Sequence, residues 1–251
     1  MLKPLTTALF LGLTVVPVTY VYSSDVNSPP TDNLVKTVAP FKAQYQVFRR
    51  GSSVGKAIRQ LSMLDNGQAQ YSYNTDLKLF IFSDKRSETS VINWQGDQVI
   101  PSQYTYKREG TGKDKFYQWQ YDIAGGQATD VRKKKSYQLD FPENIQDKLS
   151  YHFKHRLTML NEPDKQSYSY PVVTTSGTVK DYQYQYDGKE TIELPYGSLE
   201  TIRLKRAVKY KDRVTYAWFA PELDYLLVKL RQLKDGSEQF EARLESYHLE
   251  K

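Results

Sequence analysis

The stretch FKAQYQVF, residues 41–48, decides the fold. Phe41, Ala43, Tyr45 and Val47 alternate with Lys42, Gln44 and Gln46. A period of two places the apolar side chains on one face of a β-strand and the polar ones on the other. Working outward, the same period returns at Ala69-x-Tyr71-x-Tyr73-x-Thr75, Tyr104-x-Tyr106 and Tyr117-x-Trp119-x-Tyr121. It returns again at Tyr168-x-Tyr170, at Tyr182-x-Tyr184-x-Tyr186 and around Ile202 and Leu204. The last runs cover 213–219, 225–233 and 239–249. Asn66-Gly67, Gly96-Asp97, Gly125-Gly126, Asp187-Gly188 and Asp235-Gly236 punctuate the runs with residues that accept the positive φ of hairpin turns. About a dozen strands joined by hairpins predict an antiparallel meander.

One segment has a different period. Ile145, Leu149, Phe153, Leu157 and Leu160 recur at spacings of three and four, which predicts an amphipathic helix over about 145–160. Asn144 is the expected N-cap, and Asn161-Glu162-Pro163 the expected stop. Leu149, Phe153 and Leu157 should pack on the sheet while Lys148 and Lys154 face water. The predicted fold class is therefore mainly β: a large curved antiparallel sheet or partly open barrel with one helix. A sheet of that many strands must curl or close.

The chain begins Met-Leu-Lys-Pro, continues apolar through Val16, breaks at Pro17 and reaches Val21-Tyr22-Ser23. A charged start, a short apolar run and small residues at the exit predict a secretory leader over 1–23, cleaved after Ser23. The alternative is an uncleaved inner-membrane anchor, since Leu5 to Tyr22 is near the lower length for a span. Residues 24–40 are polar and proline-rich and read as a flexible linker, leaving one β-rich domain over 41–251. The expected location is the periplasm of a Gram-negative bacterium, with no stable membrane span after cleavage. The 251 residues carry a formal net charge of +6, and Lys3 in the leader accounts for one. So modest an excess is weak support for nucleic acid, which an exported protein seldom meets, and none is expected as a partner.

The sequence holds no cysteine, which excludes disulfides, thiolate metal sites, a cysteine nucleophile and an N-terminal lipidated cysteine. His152 and His155 lie three apart on the predicted helix, with Asp147 as a conceivable third ligand. Lys148, Lys154 and Arg156 surround them with positive charge, so both histidines read as surface or boundary residues and no metal site is expected. Gly110-Thr-Gly-Lys-Asp114 resembles a phosphate loop only superficially. Lys107 stands where its first glycine is needed, and Asp114 where Ser or Thr would bind Mg²⁺, so it reads as a hairpin loop. Arg132-Lys-Lys-Lys135 reads as an exposed strand end. No serine sits in a nucleophile elbow. The sequence thus points to no catalytic residue and no cofactor.

Tyrosine is the unusual feature: 21 Tyr stand beside 10 Phe and 3 Trp. Strands favour aromatics as ordinary sheet filling. A concave face of Tyr, apolar in the ring and polar at the tip, also suits a ligand with both kinds of surface. The candidate ligand-binding residues are the two ladders Tyr117, Trp119, Tyr121 and Tyr182, Tyr184, Tyr186.

Several pieces in order carry a family resemblance. They are Phe41-x-Ala43-x-Tyr45; Gly51 and Gly55 in the first turn; Gly96-x-x-Val99-x-Pro101-x-x-Tyr104; Asp147-Lys-Leu-Ser150 leading to Arg156; Glu190-x-Ile192 with Gly197-x-Leu199-x-Thr201; and Arg213-x-Thr215-x-x-Trp218-Phe-Ala-Pro221 ending at Leu227-Val228. Together they resemble the bacterial exported family of unknown function 3108, with a departure at Leu226-Leu227-Val228, where that family more often has proline before valine. The resemblance implies a strand-rich exported domain and no catalytic residue. By fold analogy it is also similar to periplasmic carriers that move lipids or lipoproteins on a curved sheet. The expected function is non-enzymatic binding of an envelope component: a lipid, lipoprotein or glycan. A structural or protein-interaction module in envelope biogenesis, and an enzyme acting on cell-wall glycan, are the alternatives.

Overall fold

The computed structural model describes residues 35–208 and 212–250. The expected leader, its cleavage point and most of the 24–40 segment lie outside the described residues. At the described end of that segment, residues 35–40 have no regular structure. Val38 is buried, and the Asn161 side chain accepts from the Lys36 amide and donates to the Lys36 carbonyl.

Fourteen strands form one antiparallel sheet that does not close into a barrel. The first eight are β1 (Phe41–Arg49), β2 (Ser52–Met63), β3 (Ala69–Leu79), β4 (Phe82–Gln95), β5 (Gln98–Gly110), β6 (Lys115–Asp122), β7 (Gln127–Asp130) and β8 (Lys135–Gln138). The other six are β9 (Ser167–Val173), β10 (Val179–Leu194), β11 (Gly197–Val208), β12 (Arg213–Ala220), β13 (Leu226–Lys234) and β14 (Ser237–Leu249). The spatial order runs from β8 down to β1, then across to β14 and down to β9. The first and last strands therefore pair at the middle of the sheet, and the edges are β8 and β9. The chain meanders from the centre to one edge, crosses to the other, and meanders back.

The crossing segment carries the single α-helix among the described residues, α1 (Ser150–Asn161). It begins five residues later than the apolar spacing predicts. Residues 145–147 are held elsewhere: the Gln146 amide donates to Pro171 O and the Val173 amide to Gln146 O, adding a parallel bridge to the free edge of β9. The Gln146 side chain donates to Val99 O of β5 at 2.8 Å. Asp147 then receives the first free amides of the helix, with Oδ1 accepting from Leu149 and Ser150 at 2.7 Å each. The N-cap is Leu149, which makes no side-chain cap bond, and the Asp147 carboxylate just before it takes the part expected of Asn144.

The core divides around α1. Leu149, Phe153, Leu157 and Leu160 belong to the larger cluster, with Phe41, Tyr71, Ile92 and Val99 from the first half of the sheet and Leu199, Trp218, Val228 and Leu244 from the second. Tyr151 and Met159 pack against Tyr168, Tyr170, Ile202, Leu204 and Phe219 from the second half. The helix lies inside the curl and is covered on both flanks, so none of its residues is fully exposed. This corrects the expectation of one wet face. Lys154 is mostly covered, with its Nζ 2.6 Å from Asp97 O. Lys148 is half-buried, while His155 and Arg156 are 3% exposed.

Most turn signals fall where expected, with two differences. Asp187-Gly188 is a bulge inside the continuous strand β10, where Tyr186 pairs with Leu204 and Gly188 with Arg203. The extra residue turns the Asp187 carboxylate onto Arg203 Nε at 2.7 Å. Gly55 lies within β2, and the turn before it is Arg50-Gly51. A Cβ at Gly55 would come 2.0 Å from Asp76 O, so only glycine lets β2 and β3 approach there.

Candidate functional site

Two adjoining cavities open inside the curl, beyond the start of α1. The larger, about 690 Å³, lies among strands β1 to β5 and β12 to β14, with apolar walls from Val47, Val54, Leu77 and Phe240. Asp84 and Arg108 also line it, and the Asp84 carboxylate takes hydrogen bonds from Arg86 at 2.8 and 2.9 Å and from Arg108 at 3.2 Å. The bonds from Arg86 above all hold its carboxyl below the usual range. The smaller cavity, about 260 Å³, has Leu149, Tyr151 and His152 of the helix end on one side. Its walls include Tyr45, Arg59, Tyr182, Tyr184 and Arg206. Tyr73, Glu88, Gln232 and Phe240 belong to both, so the two form one cleft of mixed polarity between the halves of the sheet.

The smaller cavity concentrates positive charge. Arg59 is 5% exposed; Nη1 donates to Tyr71 Oη at 3.1 Å, and its guanidinium lies 5.0 Å from the Tyr73 ring centroid. Its Nε is buried without a partner. Arg206 lies over the Tyr182 ring at 3.9 Å. Among the described residues no carboxylate forms a salt bridge with Arg59, Arg206 or Lys148. His152 lines the same cavity. Burial, and then the positive charges of Arg59 and Arg206, push its ring well below the ordinary histidine value, so it is neutral at pH 7. The Tyr45 hydroxyl donates to Leu227 O at 2.7 Å, and burial raises its pKa.

His155 faces away from the cleft into an aromatic box of Tyr168, Tyr170, Tyr184 and Phe219. Its Nδ1 lies 2.9 Å from Tyr170 Oη, and burial lowers its pKa to about 3. It is a core residue, not the surface or boundary residue that its charged neighbours in sequence imply. The reason is that the second half of the sheet covers that flank of α1. No cluster of metal-ligating side chains occurs among the described residues.

The two aromatic ladders separate. Tyr182 and Tyr184 line the smaller cavity, whereas Tyr186 is 37% exposed and lines neither. Trp119 and Tyr121 belong to the core beside β7, and Tyr117 is half-buried against Tyr106 at 5.9 Å between ring centroids. None of these three lines either cavity. Sequence reasoning passed over Arg59 and Arg206. Their signal is a break in the alternation. Arg59 occupies the inward position between Ala57 and Leu61, and Arg206 continues the inward row of Ile202 and Leu204. A charge on an apolar face is the informative exception to burial rules.

The fold and cleft define a β-barrel-like protein whose sheet stays open around an internal helix. The chain belongs to the family described as protein of unknown function DUF3108, whose model matches residues 44–244. Among solved structures it is similar to the β-barrel-like DUF1849 protein of Brucella abortus. That likeness has a TM-score of 0.61 at 8% identity, over 85% of this chain and 99% of the other, and shows the shared fold alone. A DUF1089-family protein of Pseudomonas aeruginosa, at 11% identity over 72% and 90% of the two chains, has a TM-score of 0.39, too low to carry an argument. No curated protein sequence matches the chain. Among the described residues no helix is long and apolar enough to cross a membrane.

Proposed function

We propose that this protein is a non-catalytic binding protein of the bacterial envelope, exported to the periplasm, that holds an amphipathic envelope component in the cleft of its curved sheet. The observation that carries this reading is the cleft itself. Its larger part joins apolar walls to arginines, and its smaller part joins tyrosines to cations. A cavity of several hundred Å³ with apolar walls and a few convergent polar groups is the usual form of a small-molecule site. Among the sequence candidates, Tyr182 and Tyr184 are the proposed contacts. The order of preference is lipid or lipoprotein acyl chain first and glycan second, because Val47, Val54, Leu77, Phe82 and Phe240 give the larger cavity more apolar than polar surface, although Thr75, Ser83, Arg86, Arg108 and Gln239 also line it.

The test is mass spectrometry of lipids and small molecules that accompany the protein from an envelope extract, for the natural chain and for Val54→Trp. Val54 lines the larger cavity, so the indole would fill it. A bound amphiphile in the natural chain that Val54→Trp loses is the expected result. An empty natural chain, or retention by the variant, would remove this reading.

The β3–β4 turn favours a second reading, an interaction module. Phe80 is 97% and Ile81 88% exposed at the tip of that hairpin, with Phe82 following at the cavity wall. Adjacent large apolar residues held in water mark a contact surface.

A further inference from the structure

We propose that Arg59, Arg206 and Lys148 form a recognition site for a phosphate group borne by the amphiphile, at the helix end of the cleft. The inference rests on the cleft-binding reading and adds the chemistry of the ligand's head. Three observations support it.

The first is an unbalanced charge. Moving an arginine out of water costs several kcal/mol unless a partner compensates. Arg59 is 5% exposed, bonds only to a tyrosine hydroxyl among the described residues, and leaves its Nε unpaired. Tyr71 and Tyr73 offer ring faces and hydroxyl dipoles, which stabilise a cation without neutralising it. The second is convergence across the fold. Arg59 projects from β2 and Arg206 from β11, in different halves of the sheet, yet both line the smaller cavity and both act on His152 and Tyr184. Lys148, just before α1, lines the same cavity from a third direction. The third is the carboxylate inventory. Glu88 is the one acidic residue lining this cavity; it accepts from Tyr104 Oη at 2.9 Å and forms no ion pair with the three cations.

Three cations around a space of about 260 Å³ exceed what one carboxylate needs. They suit a phosphate monoester, which carries a charge of about −1.5 to −2 at neutral pH and offers three oxygens to guanidinium forks. The neighbouring larger cavity, with Val47, Val54, Leu77 and Phe240, continues from the same walls and suits the alkyl part.

The experiment uses dodecyl phosphate, dodecyl maltoside and inorganic phosphate, each below micellar concentration, with calorimetry on the natural chain, Arg206→Gln and Lys148→Gln. Arg59 lies inside the core, so the variants are placed at the half-buried Arg206 and Lys148, where folding is checked by the thermal midpoint. Dodecyl phosphate should bind at least tenfold more tightly than dodecyl maltoside. Each variant should lose about tenfold for dodecyl phosphate and little for the maltoside, and the His152 ring resonance should shift when dodecyl phosphate is added. Equal affinities for the two detergents, unchanged in both variants, would overturn the phosphate site and leave the cleft reading standing. Inorganic phosphate binding as tightly as dodecyl phosphate would keep the cationic site and overturn the amphiphile. Binding of none of the three would overturn both.

Discussion

The ladders Tyr117-Trp119-Tyr121 and Tyr182-Tyr184-Tyr186 have the same length and spacing and nearly the same chemistry, yet the sheet uses them differently. On β6 the ladder ends in core: Trp119 is 2% exposed, and its ring lies 5.9 Å from Tyr137 between centroids. A side chain at Gly177, in the β9–β10 turn, would begin 3.5 Å from the Trp119 indole, so this ring helps fill the gap between the two ends of the open sheet. On β10 the ladder passes from the cavity to the surface, because the bulge at Asp187 follows directly and Tyr186 reaches solvent. A period of two says that side chains share a face. It does not say what the face meets.

The largest expected effect tests the core ladder. Trp119→Ala should cost about 3–5 kcal/mol in a denaturant titration, as buried Trp or Phe truncations do, and leave cleft binding unchanged in the folded fraction. A loss of affinity at unaltered stability would put the β6 ladder back on the ligand surface.

Asp147 sharpens the same side of the molecule: burial first raises the pKa of Tyr121 and Tyr104, and the Asp147 charge adds to it, after that of Glu88 in the case of Tyr104. Burial pushes its own carboxyl up to about 6, against the bonds from Ser90 and from the Ser150 and Leu149 amides. The folded chain therefore holds this proton more tightly than the unfolded chain, whose Asp titrates at about 3.9. Stability from protonated Asp147 is present below that value and is lost as pH rises through about 6. Asp147→Asn retains an oxygen for the helix amides and removes the titration. The stability of the natural chain relative to this variant should fall by about 3 kcal/mol between pH 3.5 and pH 7.5. A difference independent of pH would mean that the carboxyl titrates normally.

Smaller effects separate the members of the second ladder. Tyr182 stands edge-on to Tyr151 at 5.2 Å between centroids and under Arg206, so Tyr182→Ala should cost about 1 kcal/mol and weaken amphiphile binding several-fold. Tyr186→Ala should change stability by less than about 0.5 kcal/mol and leave binding unaltered. Should Tyr186→Ala weaken binding as much as Tyr182→Ala, the ligand surface would extend past the bulge, and the contrast between cavity and rim would fail.

Much of the fold is legible in the residues themselves. Phe41, Ala43, Tyr45 and Val47 are buried at every second position of β1, and Gly96-Asp97 and Asp235-Gly236 turn their hairpins as their backbone freedom predicts. The helix stripe Leu149, Phe153, Leu157 is also buried as its spacing predicts. These features depend on local period and on single-residue φ preference, which neighbouring residues carry. The Asp187-Gly188 bulge was less legible, because the same dipeptide supplies either a turn or an extra residue in a strand, and the pairing of β11 selects between them.

The sequence by itself determined the antiparallel meander, one helix and two tyrosine-rich faces, since those follow from periods of two and of three to four. Only the tertiary structure decided that β1 pairs with β14, that α1 is enclosed by both halves of the sheet, and that Arg59 and Arg206 face one cavity. The pairing of β1 with β14 and the meeting of Arg59 with Arg206 join residues more than a hundred positions apart, and α1 meets strands both before and after it in the chain. Their physical cause is the curl of a sheet too wide to remain flat, which brings opposite halves face to face and turns inward charges into neighbours.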